Sequence, residues 1–197
     1  MFNVEIVPVT LVGKHVILEP LRRDHVTALW PHANEPEIWK FMPYGEVDSP
    51  ERLQWLVDEM LRRQEVGNDL PFVQIDPIKQ TAIGMTRYMT IERANKSLEI
   101  GGTWLGKAYR RTPVNTEAKY LLMQHAFESL GAIRVQLRTD LRNERSQRAI
   151  ERIGAVREGV MRRHILMPDG HQRSSVFYSV LDDEWPRVKQ KLEEMLS

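Results

Sequence analysis

The chain has 197 residues, 42% hydrophobic and 28% charged, with a formal net charge of +1. That profile fits one soluble globular domain with a substantial core, and it argues against a dedicated nucleic-acid binder. The absence of cysteine excludes disulfides, thiolate nucleophiles and cysteine-bound zinc. Six histidines (His15, His25, His32, His125, His164 and His171) lack metal-ligand spacing, so no metal is expected. No apolar run approaches the roughly 20 residues of a membrane span. Residues 1–8 carry Glu5 and no basic stretch, unlike a secretion signal. A cytoplasmic protein is therefore expected.

Residues 15–21 read as a first strand. Asp24 is expected to cap a helix through Trp30, with Pro31 disrupting it. A second helix is better marked. Ser49 is its N-cap, Pro50 its first residue, and Leu53, Leu56, Val57, Met60 and Leu61 its apolar stripe, with Gly67 as terminator. Strands follow at 71–76, 81–92 and 97–105, and the turn Ala94-Asn95-Lys96 makes the last two antiparallel. A long helix over 115–130 is apolar almost all round, as burial against a sheet requires, and Gly131 ends it. Residues 133–137 alternate with period two, as a strand does. Asn143 caps a short helix that Gly154 ends. Strands at 156–166 and 174–181 flank Pro168-Asp169-Gly170, a hairpin turn. A last amphipathic helix presents Trp185, Val188, Leu192 and Met195. The expected order is β-α-α-β-β-β-α-β-α-β-β-α, a single α/β domain with a mixed sheet of about seven mostly antiparallel strands.

The most informative stretch is 109–119, Tyr-Arg-Arg-Thr-Pro-Val-Asn-Thr-Glu-Ala-Lys. A strand, a basic loop and a helix start make an anion site, because unpaired backbone N–H groups and the macrodipole favour negative charge there. An ordinary exposed loop with two solvated arginines is the alternative. Ten arginines against five acids between Ile133 and Arg173 make the second half basic. That balance fits a polyanionic ligand or simply solvated helix faces.

Four stretches, in this order and on these elements, resemble the GNAT superfamily of acyl-CoA-dependent N-acetyltransferases. They are Leu98-Glu99-Ile100-Gly101 with Trp104-Leu105, Asn115-Thr116-Glu117-Ala118, Asn143-Glu144-Arg145-Ser146 and Ile153-Gly154-Ala155. The resemblance covers about residues 10 to 186 and is strongest to the ribosomal-protein N-terminal acetyltransferase branch. It implies acetyl-CoA as cosubstrate, an amine acceptor (a protein terminus or a small molecule) and no metal.

Two departures stand out. The family's pyrophosphate loop follows R/Q-x-x-G-x-G/A, whereas Arg110-Arg111-Thr112-Pro113-Val114-Asn115 has no glycine, and Pro113 has no N–H to donate. Side chains of Arg110, Arg111 and Thr112 would have to replace part of the backbone cradle. The tyrosine that many members use as an acid is also missing, with Ile150 in its place. The ribosomal-protein branch looks instead to a serine, here Ser146.

The resemblance implies site residues as follows. Glu99, in a central strand, is the candidate base, since a partly buried carboxylate takes up protons more readily. A structural ion pair with a cross-strand arginine, Arg87 or Arg134, is the alternative. Gly101-Gly102 reads as a bulge that opens the strand. Gly101, Thr103, Arg110, Arg111, Thr112, Asn115, Thr116 and Asn143 are expected on the cosubstrate. Asn143, Ser146, Asn115 and Thr116 serve equally well as helix caps. Trp39, Phe41 and His164 are expected near the acceptor, although the aromatics suit the core as well. A non-catalytic acyl-CoA-binding module and RNA binding by the arginine-rich half are the other readings. The 156–181 hairpin offers an edge to a partner's sheet, which makes a homodimer an expectation.

Overall fold

The computed structural model describes residues 6–197, so most of the reading of residues 1–8 falls outside it. The strands are β1 (Leu11–Val12), β2 (Ile17–Pro20), β3 (Leu70–Asp76), β4 (Thr81–Glu92), β5 (Ser97–Leu105), β6 (Arg134–Asp140), β7 (Val156–Leu166) and β8 (Gln172–Leu181). The helices are α1 (Val26–Ala33), α2 (Pro36–Trp39), α3 (Pro50–Glu65), α4 (Val114–Gln124), α5 (Glu144–Arg152) and α6 (Trp185–Leu196). The strands form one sheet in the order β1-β2-β3-β4-β5-β6-β8-β7. Every neighbouring pair is antiparallel except β5 and β6, which α4 joins in a βαβ crossover. The expected seven strands become eight because the two-residue β1 pairs with β2.

Helices α1, α2 and α3 cover one face of the sheet, where Leu29, Trp39, Leu53, Leu56, Val57 and Met60 pack on Val73, Met85 and Trp104. Helices α4, α5 and α6 bury the other face through Ala118, Leu122, Ile150, Val188 and Leu192. The caps read from sequence do their work. The Ser49 hydroxyl accepts from Arg52 N–H at 3.2 Å, and Asn143 Oδ1 accepts from Ser146 N–H at 3.1 Å.

Two local readings need correction. Asp24 is not the cap of α1; the Arg22 N–H instead donates to His25 Nδ1 at 3.1 Å, across a 3-10 turn. Pro31 lies inside α1, which continues to Ala33. Its missing N–H removes one bond from a helix already anchored by buried Val26, Leu29 and Ala33.

The first turn of α4 is tied to the edge of the sheet by Glu117. Its carboxylate accepts backbone N–H groups of Lys14 (2.9 Å), His15 (2.5 Å) and Val16 (2.8 Å). Charge-assisted bonds of this kind are the strong ones. They fix the start of α4 beside the end of β5.

Candidate active site

The parallel pair β5–β6 holds for only three residues, Ser97 with Arg134, Leu98 with Val135 and Glu99 with Gln136. Beyond Glu99, β5 stays with β4 to Leu105 and β6 stays with β8 to Asp140. The two strands therefore part, and a wedge opens between them. At the same level β5 bulges: Gly101 faces Arg87 and Trp104 faces Met85, so two residues stand opposite Thr86 alone. Gly102 takes φ +59, which suits glycine. The buried Gln74 steadies the distorted ladder by donating Nε2 to Met85 O (3.0 Å) and Trp104 O (3.1 Å).

Glu99 lies at the point of divergence and is 2% exposed. Its partners are not the cross-strand arginines expected. Arg138 Nε stands 2.9 Å from Oε1, and Gln136 Nε2 donates to Oε2 at 2.9 Å. Arg134 is taken by Glu158, and Arg87 by Asp69 at 3.3 Å. Both partners come from β6 because side chains two residues apart share a strand face. Burial holds the Glu99 carboxyl above the ordinary glutamate value, against the opposing pull of Arg138, Gln136 and Arg87.

Around Glu99 the acceptor-side candidates divide. The Phe41 carbonyl accepts from the buried Arg173 at 2.9 Å, which draws the loop after α2 onto β8. His164 Nδ1 lies 3.2 Å from Ser175 Oγ. Burial, then Arg138 and Arg173, lower its pKa, so its imidazole is neutral at pH 7. Trp39 does not stay with them. It is 3% exposed, packs 5.6 Å from Trp104 and donates its indole N–H to Ala33 O at 2.8 Å. Beside the bulge lies Tyr44, whose oxygen accepts from Arg87 Nη2 at 2.7 Å.

On the opposite side of β5, Thr103 Oγ1 lies 2.8 Å from Thr86 Oγ1 and accepts from Lys119 Nζ at 2.7 Å. Lys119 is buried, and burial lowers its pKa to about 7. No carboxylate lies within ion-pair distance of it among the described residues. Sequence reasoning alone passes over this lysine, yet it sits three residues before Leu122 and seven before Ala126, on the buried stripe of α4.

The basic loop leads from β5 into α4. Arg110 folds back, with Nε on Leu105 O (2.9 Å) and Nη2 on Glu35 (2.8 Å). The Thr112 hydroxyl donates to Tyr109 O at 2.7 Å, and the Thr116 hydroxyl accepts from Arg152 Nη2 at 2.9 Å. Arg111 is exposed, holds φ +63 and has no ion-pair partner among the described residues. Asn143 and Ser146 begin α5, whose other end touches the start of α4 through the Arg152–Thr116 contact.

The sheet thus parts at a βαβ crossover, with a buried carboxylate at the point of divergence and a basic loop leading from β5 into α4. Residues 15–156 match the acetyltransferase (GNAT) domain family, and the chain belongs to that family of N-acetyltransferases. Among curated proteins it is 33% identical over 106 residues to the "Putative ribosomal N-acetyltransferase YdaF" of Bacillus subtilis (strain 168). That match covers 54% of this chain and 57% of the relative, little more than half its length. Among solved structures, a "putative acetyltransferase" from T. thermophilus is 40% identical with a TM-score of 0.89, over 98% of this chain and 100% of that one. A GCN5-related N-acetyltransferase from Brucella melitensis is 29% identical with a TM-score of 0.90, over 98% and 87%. No helix is long and apolar enough to cross a membrane among the described residues, and no metal-binding cluster is found among them.

Proposed function

We propose that this enzyme transfers an acetyl group from acetyl-CoA to a primary amine by direct attack, with Glu99 taking the amine proton directly or through a water. One juxtaposition carries the reading. A buried carboxylate with a raised pKa stands where β5 and β6 part, and β5 runs on through the loop of Arg111 into the N-terminus of α4. Glycine is required at both bulge positions, because neighbouring side chains fill the space a Cβ would take. A Cβ at Gly101 would lie 2.6 Å from Met89 Sδ and 3.1 Å from Glu99 Oε1, and one at Gly102 would lie 3.2 Å from Arg87 Nε. The cosubstrate supplies the activated acetyl group. In this reading the backbone at Gly101 and Thr103 holds its arm, together with Asn143 and Ser146 at the start of α5. Asn115, Thr116 and the first N–H groups of α4 face the phosphates.

Arg111 is assigned to the phosphates in place of the pair first expected, since Arg110 already bonds Glu35 and the Leu105 carbonyl. The acceptor is a primary amine on a protein terminus or a small molecule. The name of the Bacillus relative makes a ribosomal-protein terminus the first to try. A cytoplasmic location follows from that acceptor. A homodimer through β7 remains an expectation, to be read from light scattering.

Acetyl-CoA at about 100 times its Kd should stabilise the protein by roughly 2.7 kcal/mol by mass action. For a chain of this length that is a rise in Tm of about 5–10 °C. Arg111→Gly removes the guanidinium while easing a left-handed backbone. It should leave the free protein as stable as before and weaken acetyl-CoA binding about tenfold. Arg110→Ala should do the reverse, lowering the Tm of the free protein and keeping most of the ligand-induced rise. Absence of any rise at millimolar acetyl-CoA, with folded protein, would overturn the proposed function.

A second reading has one specific observation behind it. Pro113 lacks an N–H, and the Arg110, Thr112 and Thr116 side chains are already bonded within the protein. A cradle so engaged also suits a non-catalytic acyl-CoA-binding module. That reading predicts binding without amine-dependent turnover.

A further inference from the structure

Two donors face the bulge of β5 without an acceptor. Arg87 is 4% exposed. Its Nε stands 3.3 Å from Asp69 Oδ2, misaligned for a hydrogen bond, and is a buried N–H with no acceptor among the described residues. Its Nη2 donates to the Tyr44 oxygen at 2.7 Å, so the Tyr44 proton is free to point elsewhere. A Cβ built at Gly102 would meet Arg87 Nε at 3.2 Å and the Tyr44 oxygen at 3.4 Å. A Cβ at the adjacent Gly101 would meet Met89 Sδ at 2.6 Å and Glu99 Oε1 at 3.1 Å. Carboxylate and donors therefore converge on neighbouring residues of one bulge.

Burial fixes the donors in place. Asp69, with a fully buried side chain, receives both Arg63 (2.9 Å) and Arg87 (3.3 Å), so the Arg87 guanidinium is anchored from behind. An unpaired buried N–H is destabilising, because it has lost water without gaining an acceptor. Sites that stabilise a transient anion keep such donors preorganised.

We infer that Arg87 and Tyr44 form a side-chain oxyanion hole at Gly102, a role that none of the site residues expected from the sequence supplies. The inference rests on the acetyl-transfer reading above. As the amine nitrogen attacks, the C–N bond forms and the carbonyl π pair moves onto oxygen. Arg87 Nε–H and Tyr44 O–H donate to that oxygen. The pair then returns to carbon, the C–S bond breaks and the thiolate leaves. The amine proton passes to Glu99 and from there to the sulfur or to water. Tyr44 keeps its own proton throughout, consistent with burial raising its pKa above the ordinary tyrosine value.

Tyr44→Phe keeps the ring and deletes the donor. It should lower kcat about 10²-fold, with KM for acetyl-CoA changed less than about threefold, and Tm should fall by a few degrees because Arg87 Nη2 loses its acceptor. A second readout needs no turnover. The infrared carbonyl stretch of bound acetyl-CoA, labelled with carbon-13 at the carbonyl, should fall below that of the free thioester in wild type. In Tyr44→Phe it should move back toward the free value, and Arg87→Lys should show the same return. Bound ligand with an unchanged stretch and an unchanged kcat in Tyr44→Phe would overturn the inference while leaving the proposed function standing. No bound ligand in wild type would overturn both.

Discussion

Glu99→Gln is expected to lower turnover of a good amine acceptor by about 10²- to 10³-fold, within the range for loss of a positioned general base. Acetyl-CoA should still bind, because glutamine keeps the shape of the side chain. Its amide oxygen can still accept from Gln136, and the apolar packing of Leu98 and Ile100 on the opposite strand face is untouched. The pH profile carries the sharper signature. Burial raises the Glu99 pKa, so the carboxyl stays protonated to a higher pH than an exposed glutamate would. Activity in wild type should therefore rise with pH on a limb that begins above the ordinary glutamate range. Glu99→Gln should lose that limb and retain only the one set by the amine itself. Steady-state rates from about pH 5 to about pH 9, a range that brackets a raised carboxylate pKa, with saturating acetyl-CoA check both points. Equal rates in the two proteins would assign Glu99 to the structural ion pair with Arg138.

Lys119→Met should stabilise the protein at neutral pH by roughly 2–3 kcal/mol, raising Tm by about 5–10 °C. The argument is one of linkage. Burial lowers the folded-state pKa of Lys119 to about 7, whereas an unfolded lysine titrates near about 10.4. Between these values the unfolded chain binds the extra proton, so stability rises with pH across that window. The penalty is complete below about pH 7 and gone above about pH 10.4, and the shift corresponds to roughly 4–5 kcal/mol. Methionine fills the same space without the charge, and Thr103 keeps its bond to Thr86. The stability difference between the two proteins should therefore shrink steadily from about pH 7 to about pH 10. Chemical denaturation of both across that range measures it. A constant difference would mean that the amine is not desolvated as its surroundings imply.

Elements governed by local rules were legible in the sequence. Ser49 and Pro50 start α3, Asn143 starts α5, and the glycine pair at 101–102 marks the bulge. The position of Glu99 in a central strand followed from the alternation of Leu98 and Ile100. Its partners did not, because strand neighbours say nothing about which arginine of β6 reaches back across the wedge. The group of Tyr44, Arg87 and Asp69 joins residues from a loop, a strand and a strand entrance, brought together only by the sheet. Lys119 and Glu117 were hidden for another reason. Charged residues on a helix are normally solvated, and only their place on the buried stripe of α4 marked them as exceptions. Trp39 showed the converse: an aromatic beside a candidate site belonged to the core, where its indole found the Ala33 carbonyl.

Release of free CoA thiol in the presence of acetyl-CoA and a panel of amines is the most direct test of the account. The panel should hold peptides copying ribosomal-protein N-termini, together with small primary amines, and mass spectrometry should follow the products. The account predicts thiol release that depends on the amine and matches, mole for mole, the appearance of singly acetylated product. Folded protein that binds acetyl-CoA yet releases thiol at the same rate with and without every amine would contradict it.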